Sequence, residues 1–352
     1  METNARQFAR VAPDDVDQSE GCILEAKLKR NRSQMDQNEA KVRAAYLYYV
    51  EGLTQEQVAN HLGISRIKAL RLLAATRDDG TVQISINSAA ESMIKLQRDL
   101  EKHLGLIEAI VVPSSSQDEE SVAAVVGHAT GRYLSEHVGN GLTIGVGWGA
   151  TLQVCMRSLI WREVEDMTVV SLLGGLTHAT AHNPSAVAWR LAEFYRTELY
   201  QITAPVFVPT RDLAEALWNL EDMKQLDQRA RAVDIALLSV GDVSAQASIF
   251  RRGILSWQDA KSLKDAGAVG DVLCHFVDAE GKVLDHQVNH RAMAVSPAHM
   301  KSVPNVIISS GGLRKVHAIR AGIAATEAKF LVTDTAAAKA LLELPPPPSA
   351  RS

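Results

Sequence analysis

A chain of 352 residues with 46% hydrophobic and 22% charged residues has the make-up of a folded globular protein with two domains, three at most. Its net charge of -4 excludes a uniformly basic coat, and Cys22, Cys155 and Cys274 form no CxxC pair, which sets aside a disulfide framework and a structural zinc module. No apolar run reaches the length of a membrane span and nothing at the N-terminus has the apolar stretch of a signal peptide, so the reading is a cytoplasmic protein.

Residues 1–37 are polar, mixed in charge and aperiodic, and read as a flexible tail. A helix is expected over Gln37–Val50, with Val42, Ala45, Tyr46 and Tyr49 at helical spacing. Then comes LTQEQVANHLGISRIKALRLL, Leu53 to Leu73, which reads as two short helices around a glycine turn. Thr54 and Gln57 form a capping box, Val58, Ala59 and Leu62 line the inner face, and Gly63 makes the turn. Ser65 caps a second helix running to about Thr76, whose buried stripe is Ala69, Leu72 and Leu73. Arg66, Lys68 and Arg71 then point outward, as a helix-turn-helix needs for the DNA major groove. With Gln55 and Ser65 at the two helix starts they are the expected DNA-contacting set. An ordinary helical hairpin would not need this combination of caps, small crossing residue and outward cations. From Lys27 to Arg77 the chain holds ten cations against four acids, a basic segment on an acidic body. After the turn at Asp78-Asp79-Gly80, TVQISI alternates like a wing strand and closes an all-α DNA-binding domain at 38–88.

Met93, Leu96, Leu100 and Leu104 form a stripe on a linker helix at 89–105, which could pack against its twin in a dimer. From 106 to 343 apolar, β-rich runs (IEAIVVP, LTIGVGW, TVVSLLG, AVDIALLSVG, AVGDVLCHF, NVIISSGG, KFLVTD) alternate with helical stretches at 119–137, 149–161, 184–198, 210–230, 256–266 and 313–325. That alternation indicates an α/β domain with a mostly parallel sheet. The proline-rich 344–352 is a tail.

Several strands end in glycine turns: Gly145-Val146-Gly147-Trp148-Gly149-Ala150-Thr151, Gly174-Gly175, Val240-Gly241-Asp242 and Gly311-Gly312-Leu313-Arg314-Lys315. Such turns gather at the carboxyl edge of an open sheet, where backbone amides and Lys315 could hold a phosphate or polyol. Asp271, after Gly270, is a candidate acceptor for sugar hydroxyls or, equally, a turn carboxylate. No GxGxxG or GxxxxGK[ST] occurs, so no nucleotide cofactor is called for, and His275, His286, His290 and His299 match no metal spacing. Trp189, Trp218, Trp257 and the Tyr48-Tyr49 pair read as packing residues rather than base-stacking platforms.

The runs YYVEGLTQEQVANHLGISRIKALRLL, IGVGWGATL, GAVGDVLCHF and SSGGLRKVHAI, in that order, resemble the SorC (DeoR-like sugar-binding) transcriptional regulators, and regulators of polyol operons such as erythritol operons are the most similar in flavour. The resemblance spans about Ala40 to Leu342. It implies an N-terminal helix-turn-helix and an effector domain of the sugar isomerase, glucosamine-phosphate deaminase and CoA-transferase type. It also implies operator DNA and a carbohydrate or its phosphate as partners, and a homo-oligomer, dimer or tetramer. The family's effector loop falls on Gly145, Gly147, Gly149 and Thr151, its acidic position on Asp271 and its GGxxK lysine on Lys315. The family commonly has a polar residue where this chain has Ala69-Leu70, which leaves base readout to Ser65, Arg66, Lys68 and Arg71. Two other classes compete: a sugar-phosphate isomerase with a DNA-binding appendix, and a structural nucleoid protein. The first lacks a paired-carboxylate motif at a glycine turn; the second is undercut by the large acidic body.

Overall fold

The computed structural model describes residues 38–82, 89–114, 118–177 and 183–348. They fall into two compact units divided between Asn87 and Ser88.

The first unit is helical. Helix α1 (38–45) closes in a π turn at Tyr46–Val50, followed by α2 (Gln55–Leu62) and α3 (Arg66–Asp78). The Thr54 capping box is present: the Gln57 N–H donates to Thr54 Oγ1 (3.3 Å) and the Thr54 N–H donates to Gln57 Oε1 (2.8 Å). Such a cap is worth about 1 kcal/mol. Gly63 ends α2 in the left-handed region (φ 64°), which a side chain would resist, and Ser65 caps α3 by accepting the Lys68 N–H at 3.3 Å. Ala44, Leu47, Val58, Ala59, Ala69 and Leu73 make the core of this unit. Two details differ from expectation. Val42 and Tyr46 are exposed, because α1 turns Ala44, Ala45 and Leu47 inward instead. Leu72 is only half-buried, and Thr76 completes the inner stripe, its hydroxyl donating to Leu73 O. Lys41 and Asp79 pair side chain to side chain, tying α1 to the end of α3. The expected wing strand TVQISI, 81–86, lies outside the described residues except for Thr81 and Val82.

The second unit begins with α4 (Ala89–Leu104), so the helix expected as a linker belongs to it. Its stripe is consumed within the chain: Leu100 and Leu104 are buried in the core, and Met93 and Leu96 pack against it, beside β1 (Glu108–Val112) and the C-terminal helix. The sheet continues through β2 (Thr143–Val146), β3 (Thr168–Ser171), β4 (Glu198–Tyr200), β5 (Ile235–Leu238), β9 (Asn305–Ser309) and β10 (Phe330–Asp334). All its pairings are parallel, in the spatial order β1-β10-β9-β5-β2-β3-β4. Successive residues alternate between two cores, as a pleat buried on both faces requires: Ile235 and Leu237 join one, Ala236 and Leu238 the other. Helices α5 (Glu119–His137), α6 (Ala150–Cys155) and α7 (Pro184–Tyr195) cover the first face. The second face takes α4, α8 (Arg211–Trp218), α9 (Glu221–Arg231), α10 (Ser248–Arg251), α11 (Trp257–Asp265), α12 (Gln287–His290), α13 (Pro297–Met300), α14 (Val316–Thr326) and α15 (Thr335–Glu343).

The run AVGDVLCHF is not one parallel strand. Leu273 and Cys274 take positive φ (51° and 59°) and fold it into antiparallel β7 (Gly270–Val272) and β8 (His275–Val277). With β6 (Val240–Asp242) these make a second, three-stranded sheet in the order β6-β7-β8. It stands directly beyond the carboxyl end of β5 and sets up the site below.

Candidate functional site

The sheet order reverses between β2 and β5: the chain leaves β2 for β3 on one side and leaves β5 toward β9 on the other. Ligands of open α/β sheets enter at such a switch point, beyond the carboxyl ends of the strands. A cavity of about 300 Å³ opens there, walled by Trp148 to Ala150 after β2 and by Ser239 to Asp242 after β5. Gln153 of α6, Glu119 of α5, Ile249, Arg251 and Arg252 around α10, Asp271 of β7 and Lys315 complete it.

Each wall has a local cause. Gly149, the N-cap of α6, sits at φ 136° and ψ 164°, a region essentially reserved for glycine, and brings the backbone against Ser239. Gly241 pairs with Asp271 across β6 and β7, and a Cβ there would collide with the Asp271 carboxylate. The 3-10 turn Leu313–Lys315 follows β9, and Asp334 holds its start by accepting the Gly312 N–H at 2.7 Å.

Charges of both signs line the cavity. Two buried carboxylates form its floor. Asp242 Oδ1 accepts the Ser244 N–H (2.7 Å), while Oδ2 is buried without a partner among the described residues. Asp271 Oδ2 accepts the Cys274 N–H (3.2 Å). Burial pushes the Asp271 pKa up to about 6 and the Asp242 charge adds to that, while the Cys274 N–H and Lys315 oppose it. Lys315, Arg251 and Arg252 contribute cations to the lining, along with the further acids Asp118, Glu119 and Glu120. Burial, and then Arg251, lower the Arg252 pKa from its high starting value, though a guanidinium remains charged at neutral pH. Glu119 pairs with two cations: its Oε2 accepts from Arg314 Nη2 at 2.9 Å and its Oε1 lies 3.8 Å from Lys315 Nζ. Cys274 is fully buried beside Trp148, its thiol pushed well up by desolvation, which makes it inert rather than nucleophilic.

Of the residues expected from sequence, Gly149, Asp271 and Lys315 meet at this cavity. Gly145 lies inside β2 against Leu172 and Val233, and Gly147 donates its N–H to Leu237 O (2.9 Å), closing β2 onto β5. Thr151 is buried within α6. That helix has only six residues, so its dipole is slight and the cations carry any attraction for an anion. Gly311 and Gly312 shape the turn that delivers Lys315. Gly174 and Gly175 lie elsewhere, after β3, their N–H groups bonded to Met293 O and Ala204 O. Asp242, Arg251, Arg252, Gln153 and Glu119 line the cavity without having been expected there. Asp242 carried the same signal as Asp271, a carboxylate directly after a strand-end glycine.

In the helical unit Ser65, Arg66, Lys68 and Arg71 are exposed on the α3 side of the turn, and Gln55 is half-exposed at the start of α2. Arg66, Lys68 and Arg71 enter no ion pair among the described residues, whereas Lys41 and Arg43 are paired with Asp79 and Glu39. Among the described residues of this unit the free cations are therefore concentrated on α3, joined by Arg77 near its end.

Among known proteins, the family model "Putative sugar-binding domain" matches residues 88–343. The deoxyribonucleoside regulator of Bacillus subtilis (strain 168) is 30% identical over 308 residues, 87% of this chain and 98% of that one. The erythritol catabolism regulatory protein EryD of Brucella abortus (strain 2308) is 31% identical over 306 residues, 86% of this chain and 96% of its own. In fold, the crystal structure of the full-length sorbitol operon regulator SorC from Klebsiella pneumoniae superposes with a TM-score of 0.67 at 23% identity, covering 87% of this chain and 99% of that one.

Proposed function

The chain belongs to the SorC family of DNA-binding, sugar-responsive transcriptional regulators, and from that premise we propose that its effector is a small polyhydroxylated carbohydrate or its phosphate, bound in the cavity between β2 and β5. The observation that carries this reading is a cavity lined by charges of both signs, with Asp242 Oδ2 buried in it without a partner among the described residues. Asp242 and Asp271 are placed to accept from hydroxyl groups, and an unpartnered buried carboxylate oxygen is costly until a donor reaches it. Lys315, Arg251 and Arg252 sit where a phosphate would need cations. The names of the relatives support the class, since each refers to a polyol, a sugar alcohol or a deoxyribonucleoside. The DNA partner is an operator gripped by α3 through Arg66, Lys68 and Arg71, with Ser65 and Gln55 at the flanking helix starts. Two such units on a symmetric operator call for a homo-oligomer acting in the cytoplasm, where operator DNA is.

Effector binding shifts operator affinity only if it favours one conformation of the chain over another. The test is calorimetric titration with erythritol, sorbitol and 2-deoxyribose, each with its phosphate. A phosphorylated binder should lose at least tenfold in affinity with Lys315→Ala, and its unphosphorylated parent little. Equal affinities for wild type and variant with every binder would remove Lys315 from the site.

One observation favours a second reading. A carboxylate with a pKa of about 6 beside a sugar site has the properties of a general base for isomerisation. Incubation with the same phosphates, followed by NMR, distinguishes the readings: turnover abolished by Asp271→Asn would mean an enzyme.

A further inference from the structure

The outer face of α3 carries two large apolar side chains that the core does not use. Ile67 is 66% exposed and Leu70 46% exposed, while Ala69 and Leu73 on the opposite side are buried. At 100° per residue, Ile67 and Arg71 each lie roughly 160° around the helix from Ala69, one on either side of the outermost line, and face each other as i and i+4 neighbours. Leu70 stands beside them, about 100° from Ala69. A helix that exposes a β-branched residue at its second position, in a unit with a very small core, leaves apolar surface in water with no return from packing. Cations frame these two residues: Arg66 precedes Ile67, Lys68 follows it and Arg71 follows Leu70, all exposed, and no acid occurs on α3 before Asp78.

An apolar pair ringed by positive charge is complementary to a polyanion that also presents methyl groups. The DNA major groove is such a surface, because the C5-methyl of thymine is its apolar feature and the phosphates flank it. An apolar protein partner would match Ile67 and Leu70 but leave three cations facing carbon. We propose that Ile67 and Leu70 read thymine methyls in the operator, adding sequence discrimination to the contacts of Arg66, Lys68 and Arg71. This rests on the reading of α3 as the DNA-contacting helix. Arg71 then holds a base edge or phosphate, while Ile67, one turn earlier on the same face, closes over the methyl of a neighbouring pair.

The experiment begins with the full chain selecting its best-bound duplex from a random-sequence pool. Each thymine of that duplex is then replaced singly by 2′-deoxyuridine, which removes the methyl and nothing else, and affinity is read by fluorescence anisotropy at fixed salt. At least one replacement per half-site should weaken the wild type by about fourfold, roughly the worth of one buried methyl. In Ile67→Ala or Leu70→Ala that penalty should fall below twofold, with both variants still folded by circular dichroism. Ile67→Val should keep about half of it. A wild type indifferent to every replacement, or a penalty that survives in both alanine variants, would overturn the proposal while leaving DNA binding by α3 intact. If those variants instead change the oligomeric state, with no effect of deoxyuridine, the face belongs to a protein contact. Failure to select any duplex would overturn the DNA reading itself, and Arg66→Ala with Arg71→Ala as a control separates that failure from the loss of methyl readout.

Discussion

The helical unit and the α/β unit present their ligand surfaces in opposite ways. The helical unit keeps a minimal core and carries its proposed DNA-contacting residues at the start and on the outward face of α3, from Ser65 to Arg71, a contiguous stretch of chain. The α/β unit gathers its proposed ligand groups in a cavity from Glu119, Trp148 to Ala150, Gln153, Ser239 to Asp242, Ala247 to Ile249, Arg251, Arg252, Asp271 and Lys315, with Asp242 and Asp271 buried and the two arginines exposed. A surface made from one helix can be altered without touching the fold, because its side chains contact solvent. The buried carboxylates of the cavity cannot, since Asp242 and Asp271 would bind ligand and also enter the balance of folding.

The largest expected effect lies in the cavity. Gly241→Ala drives a methyl into the Asp271 carboxylate across β6 and β7, and relief requires that buried carboxylate to turn away from the Cys274 N–H or the strands to part. It should cost about 2–4 kcal/mol in urea unfolding and abolish ligand binding together with it. A variant as stable as wild type would mean that the two strands are loose and that the cavity floor is not preformed.

Next is a gain. The folded pKa of Asp271 stands at about 6 against an ordinary 3.8, so the folded state favours the protonated carboxyl. Its contribution to stability is therefore present in full below the unfolded value and is lost as pH rises through about 6. Asp271→Asn, which imitates the protonated form, should stabilise the ligand-free protein by about 2–3 kcal/mol at pH 7.5 and by almost nothing at pH 4. Chemical denaturation at the two pH values reads this directly. No difference between them would show that water or a counter-cation relieves the carboxylate.

The helical unit should behave in the reverse manner. Arg66→Ala and Arg71→Ala should each cost about 1–3 kcal/mol of operator affinity. Neither should move stability beyond about 0.5 kcal/mol, since both side chains are exposed. A gel shift unchanged by the double variant would break the contrast at its other end.

The smallest effect concerns Glu119, a lining residue paired with Arg314 and Lys315. An anionic ligand must compete with it. Glu119→Gln should tighten a phosphorylated ligand by about three- to fivefold and leave a neutral polyol unchanged, as an exposed ion pair of this kind is worth about 0.5–1 kcal/mol. Weaker binding of both forms would make Glu119 a ligand contact instead.

The same contrast explains what could be read from the chain alone. The helix-turn-helix was legible because its evidence is local: Thr54 and Gln57 are three residues apart, Gly63 marks the turn, and Ala69 and Leu73 repeat at helical spacing. Most strands of the large sheet were legible for a similar reason, being short apolar runs buried on both faces. The exceptions share a cause. The three residues of β4 sit at the end of a helical pattern, with too little length to show a period. The expected helix at 210–230 is interrupted between Trp218 and Glu221, where Leu220 caps α9 with no side-chain bond of its own. The β7–β8 hairpin turns on Leu273 and Cys274 rather than on glycine or asparagine, so no turn residue announced it. Arg251 and Arg252 reach the cavity only because α10 folds back toward Lys315, a tertiary fact without a sequence signal. Gly174-Gly175 looked like the other strand-end turns, yet β3 stands one strand away from the switch point, and only the strand order reveals that.

The central claim is that the cavity and α3 have separate tasks joined by one conformational equilibrium. It is tested most directly by the affinity of the full chain for its selected duplex, measured with and without the tightest binder among erythritol, sorbitol, 2-deoxyribose and their phosphates. Saturating ligand should change the wild-type affinity by at least about fivefold, the lower end of ordinary allosteric coupling. If that binder is a phosphate, Lys315→Ala at the same ligand concentration should lose the change while keeping its ligand-free affinity for DNA. An affinity indifferent to every ligand that binds, or a Lys315→Ala variant already altered without ligand, would contradict it.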